Sequence, residues 1–173
     1  ELHGEDLIFT DFASIKGGDP KYLPIISMDS LNQSLEARLE EYNESNTMMG
    51  LVLFGDAMRH ITRICRILSN PMGNAMLIGV GGSGKQSLAR LSSFICGCET
   101  TQLSVTSNFK VDDLKEALKD LYRVAGVKGI PTTFLMTDSQ IVNEKFLVYL
   151  NDMLSSGWIP DLFQKDEMDG LFG

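Results

Sequence analysis

The sequence predicts an α/β fold in which helices flank a mainly parallel sheet, and three observations support this class. Short apolar runs alternate with amphipathic helical segments through the second half of the chain. A glycine-rich loop joins one of these runs to the next helical segment. The chain has 173 residues, which is enough for one compact core.

The N-terminal part of the chain predicts a loop followed by a helix. Residues 1–28 have no regular pattern, and Gly17, Gly18 and Pro20 favour a loop there. Ser30 is a suitable cap for a helix that begins at this residue. The apolar positions of this helix follow at helical spacing, and they are Leu31, Leu35, Leu39 and Tyr42.

A second helix is predicted over residues 56–68, after the short apolar run "LVLF". Arg59, Arg63 and Arg66 lie on a face of their own and predict a solvated or domain-contacting surface rather than a phosphate site. The apolar face of this helix consists of Met58, Ile61, Cys65 and Leu68.

Strands and helices then alternate. Residues 74–80 predict a buried strand, and a helix should begin near Lys85. A short strand around 101–105 precedes a helix over 110–125, which Gly126 would end. That helix has an apolar face made of Val111, Leu114, Leu118, Leu121 and Ala125.

The last predicted elements are a buried strand over 132–138 and a helix over 143–156 that ends at Gly157. No element is predicted after this glycine. The helix should turn four apolar residues inward, namely Phe146, Leu150, Met153 and Leu154.

Composition excludes several classes of partner. A net charge of −8 argues against a broad grip on nucleic acid or on an anionic membrane surface. No apolar run approaches the ~20 residues that a membrane helix needs. Cys65, Cys96 and Cys98 lack metal-ligand spacing, and an odd number of thiols without a secretory signal fits the reducing cytoplasm.

The segment "GVGGSGKQS" follows the predicted strand 74–80 and opens the next helix, which is the context that a P-loop requires. Its glycines allow consecutive N–H groups to face one anion, and Lys85 can reach the β- and γ-phosphates. Gln86 replaces the usual magnesium-binding hydroxyl residue and is a poorer ligand. The predicted nucleotide-binding residues are Gly79, Val80, Gly81, Gly82, Ser83, Gly84, Lys85, Gln86 and Ser87.

"FLMTDSQ" predicts the second half of a nucleotide site. A buried strand that ends in Asp138 can hold Mg²⁺ opposite Lys85, as in a Walker B motif. Hydrolytic enzymes of this type usually carry Glu at the next position, where it polarises the attacking water. Ser139 stands there instead and cannot serve as a comparable base. Gln140 is a candidate for orienting water in its place.

Three segments, "GNAMLIGVGGSGKQSLARLSSFI", "FLMTDSQI" and "LVLFGDAMRHITRICRIL", resemble the fourth AAA+ module of axonemal dynein heavy chains. The resemblance covers most of the chain. It implies a P-loop NTPase fold with residues 1–70 flanking the core and 71–173 forming part of the large subdomain. It also implies that Val52, Leu53 and Phe54 border the adenine.

The same resemblance implies a place in the motor ring of a ciliary microtubule motor, and hence in the cytoplasm, cytoskeleton and cilium axoneme. The implied ligands are ATP or ADP with Mg²⁺, and the implied partners are the neighbouring AAA+ modules. Microtubule contact would occur only through the rest of the motor. The sensor strand and helical lid of the family are not recognisable, so we expect a truncated module with a gap in its sheet or a non-native pairing across it.

Three functional hypotheses remain open from the sequence. The first is a regulatory ATP-binding module that hydrolyses weakly or not at all. The second is a competent ATPase that uses Gln140 or a residue from a neighbouring module. The third is an interaction module whose degenerate cradle holds no nucleotide, which Gln86 and the missing lid would explain.

Overall fold

A computed structural model describes residues 7–13 and 22–172 and divides the chain into two compact units. The first unit spans Glu1–Gly97 and the second spans Cys98–Gly173. The predicted loop at Gly17, Gly18 and Pro20 lies outside the described residues. The predicted division after residue 70 concerns the subdomains of the family, and it stays a prediction.

The first unit consists of a short hairpin and three helices. Strands β1 and β2 pair antiparallel, and α1, α2 and α3 enclose a core dominated by leucine and isoleucine. Leu31, Leu35, Ile61 and Leu91 are fully buried in that core. The elements are β1 (Phe9–Thr10), β2 (Leu23–Pro24), α1 (Met28–Ser45), α2 (Gly55–Leu68) and α3 (Lys85–Ile95).

The start of α1 differs from the prediction. Ser27 caps the helix, with its Oγ accepting a hydrogen bond from the Ser30 N–H at 3.1 Å, so the expected cap residue lies inside the first turn. The earlier start places Met28 on the helix, where it packs against the core of the unit. Helices α2 and α3 begin and end close to their predicted bounds.

The predicted buried strand over 74–80 is wrong. These residues have no regular secondary structure, and Met76, Ile78 and Val80 are 88%, 86% and 79% exposed. Leu77 alone of the segment packs against the core as a partly buried residue. An extended run becomes a buried strand only when neighbouring strands supply ladder hydrogen bonds and a second layer covers it, and the described residues supply neither.

The second unit contains a parallel strand pair with helices around it. Strands β3 and β4 pair with Glu99 opposite Thr132 and Gln102 opposite Leu135. The core is built from Leu114, Leu118, Phe146, Ile159 and Leu162. The elements are β3 (Glu99–Gln102), α4 (Val111–Tyr122), a π-helical turn (Arg123–Val127), β4 (Thr132–Leu135), a 3₁₀ turn (Asp138–Gln140), α5 (Phe146–Ser156) and α6 (Lys165–Phe172).

Several bounds in this unit correct the predictions. Strand β3 ends at Gln102 rather than near residue 105, and β4 is half-buried and ends three residues before Asp138. The π turn after α4 changes the helical phase, and Ala125 is therefore exposed instead of continuing the apolar face. Leu154 on α5 is also exposed.

Helix α6 was not predicted, and an ionic contact holds it. The Lys119 ammonium lies 2.8 Å from a Glu167 carboxylate oxygen, with side-chain exposures of 11% and 28%. Phe163, just before α6, packs edge-on against Tyr122. The sequence "QKDEMDGLF" does not by itself show this attachment, because Lys119 and Glu167 lie 48 positions apart in the chain.

Candidate functional site

The glycine-rich loop is built as a cradle at the start of α3. Gly82 and Gly84 have φ angles of 73° and 77°, in the left-handed region that favours glycine. Gly84 is the N-cap of α3, and its carbonyl accepts the N–H of Leu88 at 2.9 Å. The first N–H groups of an eleven-residue helix therefore open directly onto the loop.

The Lys85 side chain folds back over this loop. Its ammonium donates hydrogen bonds to the carbonyl oxygens of Gly79 at 2.8 Å and Val80 at 2.7 Å, and to Ser83 Oγ at 3.2 Å. These three bonds use all three donors of an ammonium group. A phosphate that reached Lys85 would therefore have to replace some of the loop's own acceptors.

The loop has open space where an anion would approach. A Cβ atom built on Gly81 or Gly82 would meet nothing within 4 Å, whereas one on Gly79 would lie 3.4 Å from Ser83 Oγ and 3.8 Å from Lys85 Nζ. Gln86 is exposed at the start of α3. Within the described part of the chain its amide makes no side-chain hydrogen bond, so it is free to face a ligand.

Leu51, the residue before the predicted adenine-bordering segment 52–54, lies near the loop. Leu51 Cδ1 is 3.9 Å from the position that a Cβ on Gly84 would occupy. Leu53 packs against the core, while Val52 and Phe54 are 76% and 60% exposed. Val52 and Phe54 are thus uncovered, and their contact with adenine stays a prediction.

Asp138 lies in the second unit, as the first residue of the 3₁₀ turn that follows β4. Its side chain is exposed, as is that of Ser139. Ser139 Oγ lies 3.0 Å from Thr137 Oγ1, and Ser139 is the donor, because the Thr137 hydroxyl donates to Gln140 Oε1. No group of three or more His, Cys, Asp or Glu side chains among the described residues is arranged to hold a metal ion. Magnesium binding by Asp138 therefore stays a prediction from the Walker B-like sequence motif.

Gln140 has a structural role that the sequence reading missed. Its carbonyl oxygen accepts hydrogen bonds from the Thr137 N–H at 2.8 Å and from Thr137 Oγ1 at 3.0 Å, and its amide nitrogen donates to the Leu103 carbonyl. The side chain is buried. Both lone pairs of the oxygen are occupied, so it has none left to accept a bond from water. The spacing of Thr137 and Gln140 is that of a capping box, and this signal was available in the sequence.

Cys65, Cys96 and Cys98 form no disulfide among the described residues. A hydrogen bond with Cys96, together with burial, holds the pKa of the Cys65 thiol well above its ordinary value. The same bond lowers the pKa of Cys96. Cys65 also donates to the Ser92 carbonyl at 3.8 Å. This pair belongs to the contact between α2 and α3.

A glycine-rich loop that caps a helix and is followed directly by lysine matches the loop and helix of a P-loop, although the described residues before it form no strand. The chain matches the family described as "P-loop containing dynein motor region D4" over residues 49–173, and it belongs to that family. The chain is thus part of a dynein AAA+ motor region. P-loop families bind nucleotides as a class.

Relatives agree with this assignment. The chain is 60% identical over 152 residues to the Dynein beta chain, flagellar outer arm, of Chlamydomonas reinhardtii, covering 88% of this chain and 3% of the relative. It is 53% identical to the ciliary Dynein beta chain of Heliocidaris crassispina, covering 90% and 4%. It is 52% identical to human Dynein axonemal heavy chain 17, covering 98% and 4%. The chain therefore spans 3–4% of the length of these relatives.

Proposed function

We propose that this chain is a regulatory nucleotide-binding module of an axonemal dynein motor, with little ATP hydrolysis of its own. The ligand is ATP or ADP with Mg²⁺, held by the loop 79–87. The observation that carries the proposal is the glycine loop, in which Gly82 and Gly84 adopt left-handed conformations at the N-terminus of α3, next to Lys85. The names of its relatives support a place in the axoneme of a cilium or flagellum.

Weak hydrolysis follows from the residues after Asp138. Ser139 carries a hydroxyl, which is too weak a base to activate water near neutral pH. The oxygen of Gln140 is committed to Thr137. The described residues of this turn therefore offer no group for positioning the attacking water. The remaining route to turnover is a residue from a neighbouring module, and that route defines the alternative of a competent ATPase.

A second candidate is an interaction module with an empty cradle. The three hydrogen bonds that Lys85 makes within its own loop favour this alternative, because they stabilise a form without phosphate. Nucleotide binding would then have to compete with the loop's own carbonyl groups. A binding measurement separates the two candidates.

The test is a titration of the chain with fluorescent ATP, with and without Mg²⁺. We expect Lys85→Ala to weaken binding at least tenfold, because hydrogen bonds to charged groups contribute about 1.5–3 kcal/mol each. Lys128→Ala is the matched control, since Lys128 is an exposed lysine outside the loop. If the chain and both variants bind equally, or if none binds at millimolar nucleotide, the proposal is wrong.

Magnesium and turnover are tested on the same protein. Asp138→Asn should abolish the difference between titrations with and without Mg²⁺ if Asp138 holds the ion. Single-turnover mixing with radiolabelled ATP should show no cleavage above the buffer rate. Cleavage above the buffer rate would contradict the regulatory proposal, and its persistence in Gln140→Ala would assign it to a residue other than Gln140.

A further inference from the structure

The three arginines of α2 line a cavity that the nucleotide proposal does not use. This arginine pocket has a volume of about 340 Å³ and lies between α2 and the β1–β2 hairpin. One wall is basic and the other is mainly apolar. The described lining residues are Leu7, Ile8, Phe9, Tyr22, Arg59, Thr62, Arg63 and Arg66.

The pocket is strongly basic within an acidic chain. Arg59 lies 3.3 Å from Asp56, while Arg63 and Arg66 are exposed and form no ion pair among the described residues. The described lining contains no carboxylate, and Asp11 lines an adjoining cavity together with Tyr22 and Arg66. Like charges spaced three and four residues apart on a helix repel each other, and a bound anion would relieve this repulsion.

The opposite wall favours an apolar group. Phe9 and Tyr22 stack with ring centroids 6.0 Å apart and an interplanar angle of 16°, and both rings are partly exposed. The pairing of β1 with β2 fixes their separation across the hairpin. An inorganic anion would leave this wall unused. The complementary ligand therefore carries an apolar or aromatic group next to its negative charges.

We propose that the arginine pocket binds an acidic peptide segment in which carboxylates flank an aromatic side chain. Guanidinium groups bind carboxylates through paired hydrogen bonds. Ligand pockets range from about 300 to 1,000 Å³, and this cavity lies near the lower limit, which suits one side chain with its charged neighbours. The proposal is independent of nucleotide binding, because none of the lining residues belongs to the loop 79–87.

The test is fluorescence anisotropy of the chain with a labelled Asp-Glu-Phe-Glu-Asp peptide. We expect saturable binding that weakens as the salt concentration rises. An Asn-Gln-Phe-Gln-Asn peptide and an Asp-Glu-Ala-Glu-Asp peptide should each bind at least tenfold more weakly. Equal binding of the three peptides, or no binding of the first, would overturn the proposal.

Two variants with the same change in charge locate the site. Arg63→Gln/Arg66→Gln should weaken binding of the acidic peptide at least tenfold. Arg38→Gln/Lys145→Gln should leave it within twofold, because neither residue lines the pocket. Circular dichroism checks that both variants fold. If Arg63→Gln/Arg66→Gln does not fold, Arg63→Lys/Arg66→Lys is measured instead, because it keeps the charge of the pocket. Equal losses of peptide affinity in the two charge-matched variants would show non-specific electrostatic attraction and contradict binding in the arginine pocket.

Competition with inorganic pyrophosphate distinguishes the peptide from a phosphate ligand. Pyrophosphate carries a high negative charge but has nothing to place against Phe9 and Tyr22. We expect it to displace the peptide only at concentrations well above those of unlabelled peptide. Displacement at equal or lower concentration would identify a phosphate site and overturn the peptide assignment.

Discussion

The segment 74–80 of the first unit and β4 of the second unit have similar apolar sequences but different structures. Each leads into a predicted nucleotide-binding motif. Residues 74–80 form no ladder and expose Met76, Ile78 and Val80. Strand β4 pairs along its whole length with β3, and Phe134 packs against the core of its unit.

The difference shows that apolar composition does not by itself make a strand. Strand β4 has a partner that accepts and donates its backbone hydrogen bonds, and helices that cover its side chains. The segment before the P-loop has only Leu77 in contact with a core. An exposed apolar segment with unpaired backbone groups can pair with another chain.

The largest expected effect comes from core substitutions, which test whether the two units lose stability separately. Phe146 is fully buried in the second unit and lies edge-on to Phe109, so Phe146→Ala should cost about 3–5 kcal/mol. Amide hydrogen exchange should show the loss of protection concentrated in residues 98–172. Leu35→Ala in the first core should instead lower protection mainly in residues 22–97. If each substitution lowers protection equally in both ranges, the two units are not separate in stability.

The next largest effect concerns the turn after β4. Gln140→Ala leaves the Thr137 N–H and the Leu103 carbonyl without their partner, which should cost about 1–3 kcal/mol in urea unfolding. Ser139→Ala removes an exposed hydroxyl and its contact with Thr137 Oγ1 but leaves the hydrogen bonds of Gln140 in place, so it serves as the control. A Gln140→Ala variant that is as stable as this control would disprove the structural role of Gln140.

A smaller and pH-dependent effect is expected at α6. The Lys119 ammonium and the Gln164 N–H lower the pKa of Glu167, while hydrogen bonds from Lys119 to Glu167 and Glu116 raise the pKa of Lys119. The stabilisation should therefore be present above the unfolded carboxylate value of about 4.3 and fade as pH falls through the lowered pKa. It should also fade as pH rises through the raised pKa of Lys119, beyond about 10.4.

Thermal unfolding of Glu167→Gln measures this contribution. The variant should melt below the unmodified chain at pH 7, and the two melting temperatures should converge at either extreme of pH. Glu116→Gln is the matched control, because its carboxylate lies 3.1 Å from the same ammonium but is 65% exposed. A constant difference at every pH would show that the ion pair is not its cause.

The smallest effect on stability is expected in the unpaired segment. Ile78→Lys should change the free energy of unfolding by less than about 0.5 kcal/mol, because the side chain is already exposed. The same substitution at Phe134 in β4 should destabilise the chain much more. Sedimentation should show less self-association for Ile78→Lys than for the unmodified chain. A destabilisation as large as that of Phe134→Lys would mean that the segment is a buried strand after all.

The sequence alone determined the features that depend on local chemistry. The glycine loop, the start of α3 at Lys85, the apolar stripe of α2 and the end of α5 at Gly157 all follow from backbone freedom, capping and helical spacing. These preferences act within a few residues. The family resemblance was also readable, because its motifs are short and continuous.

The features that depend on distant partners are visible only in the folded structure. The engagement of Gln140 with Leu103 and the attachment of α6 through Lys119 and Glu167 each require a contact between residues far apart in the chain, whereas the exposure of Ile78 reflects the lack of such a contact among the described residues. Periodicity indicates which face of a segment is apolar, but it does not show whether another element covers that face. Strand pairing and burial are set by those neighbours, and the sequence of the segment itself does not contain them.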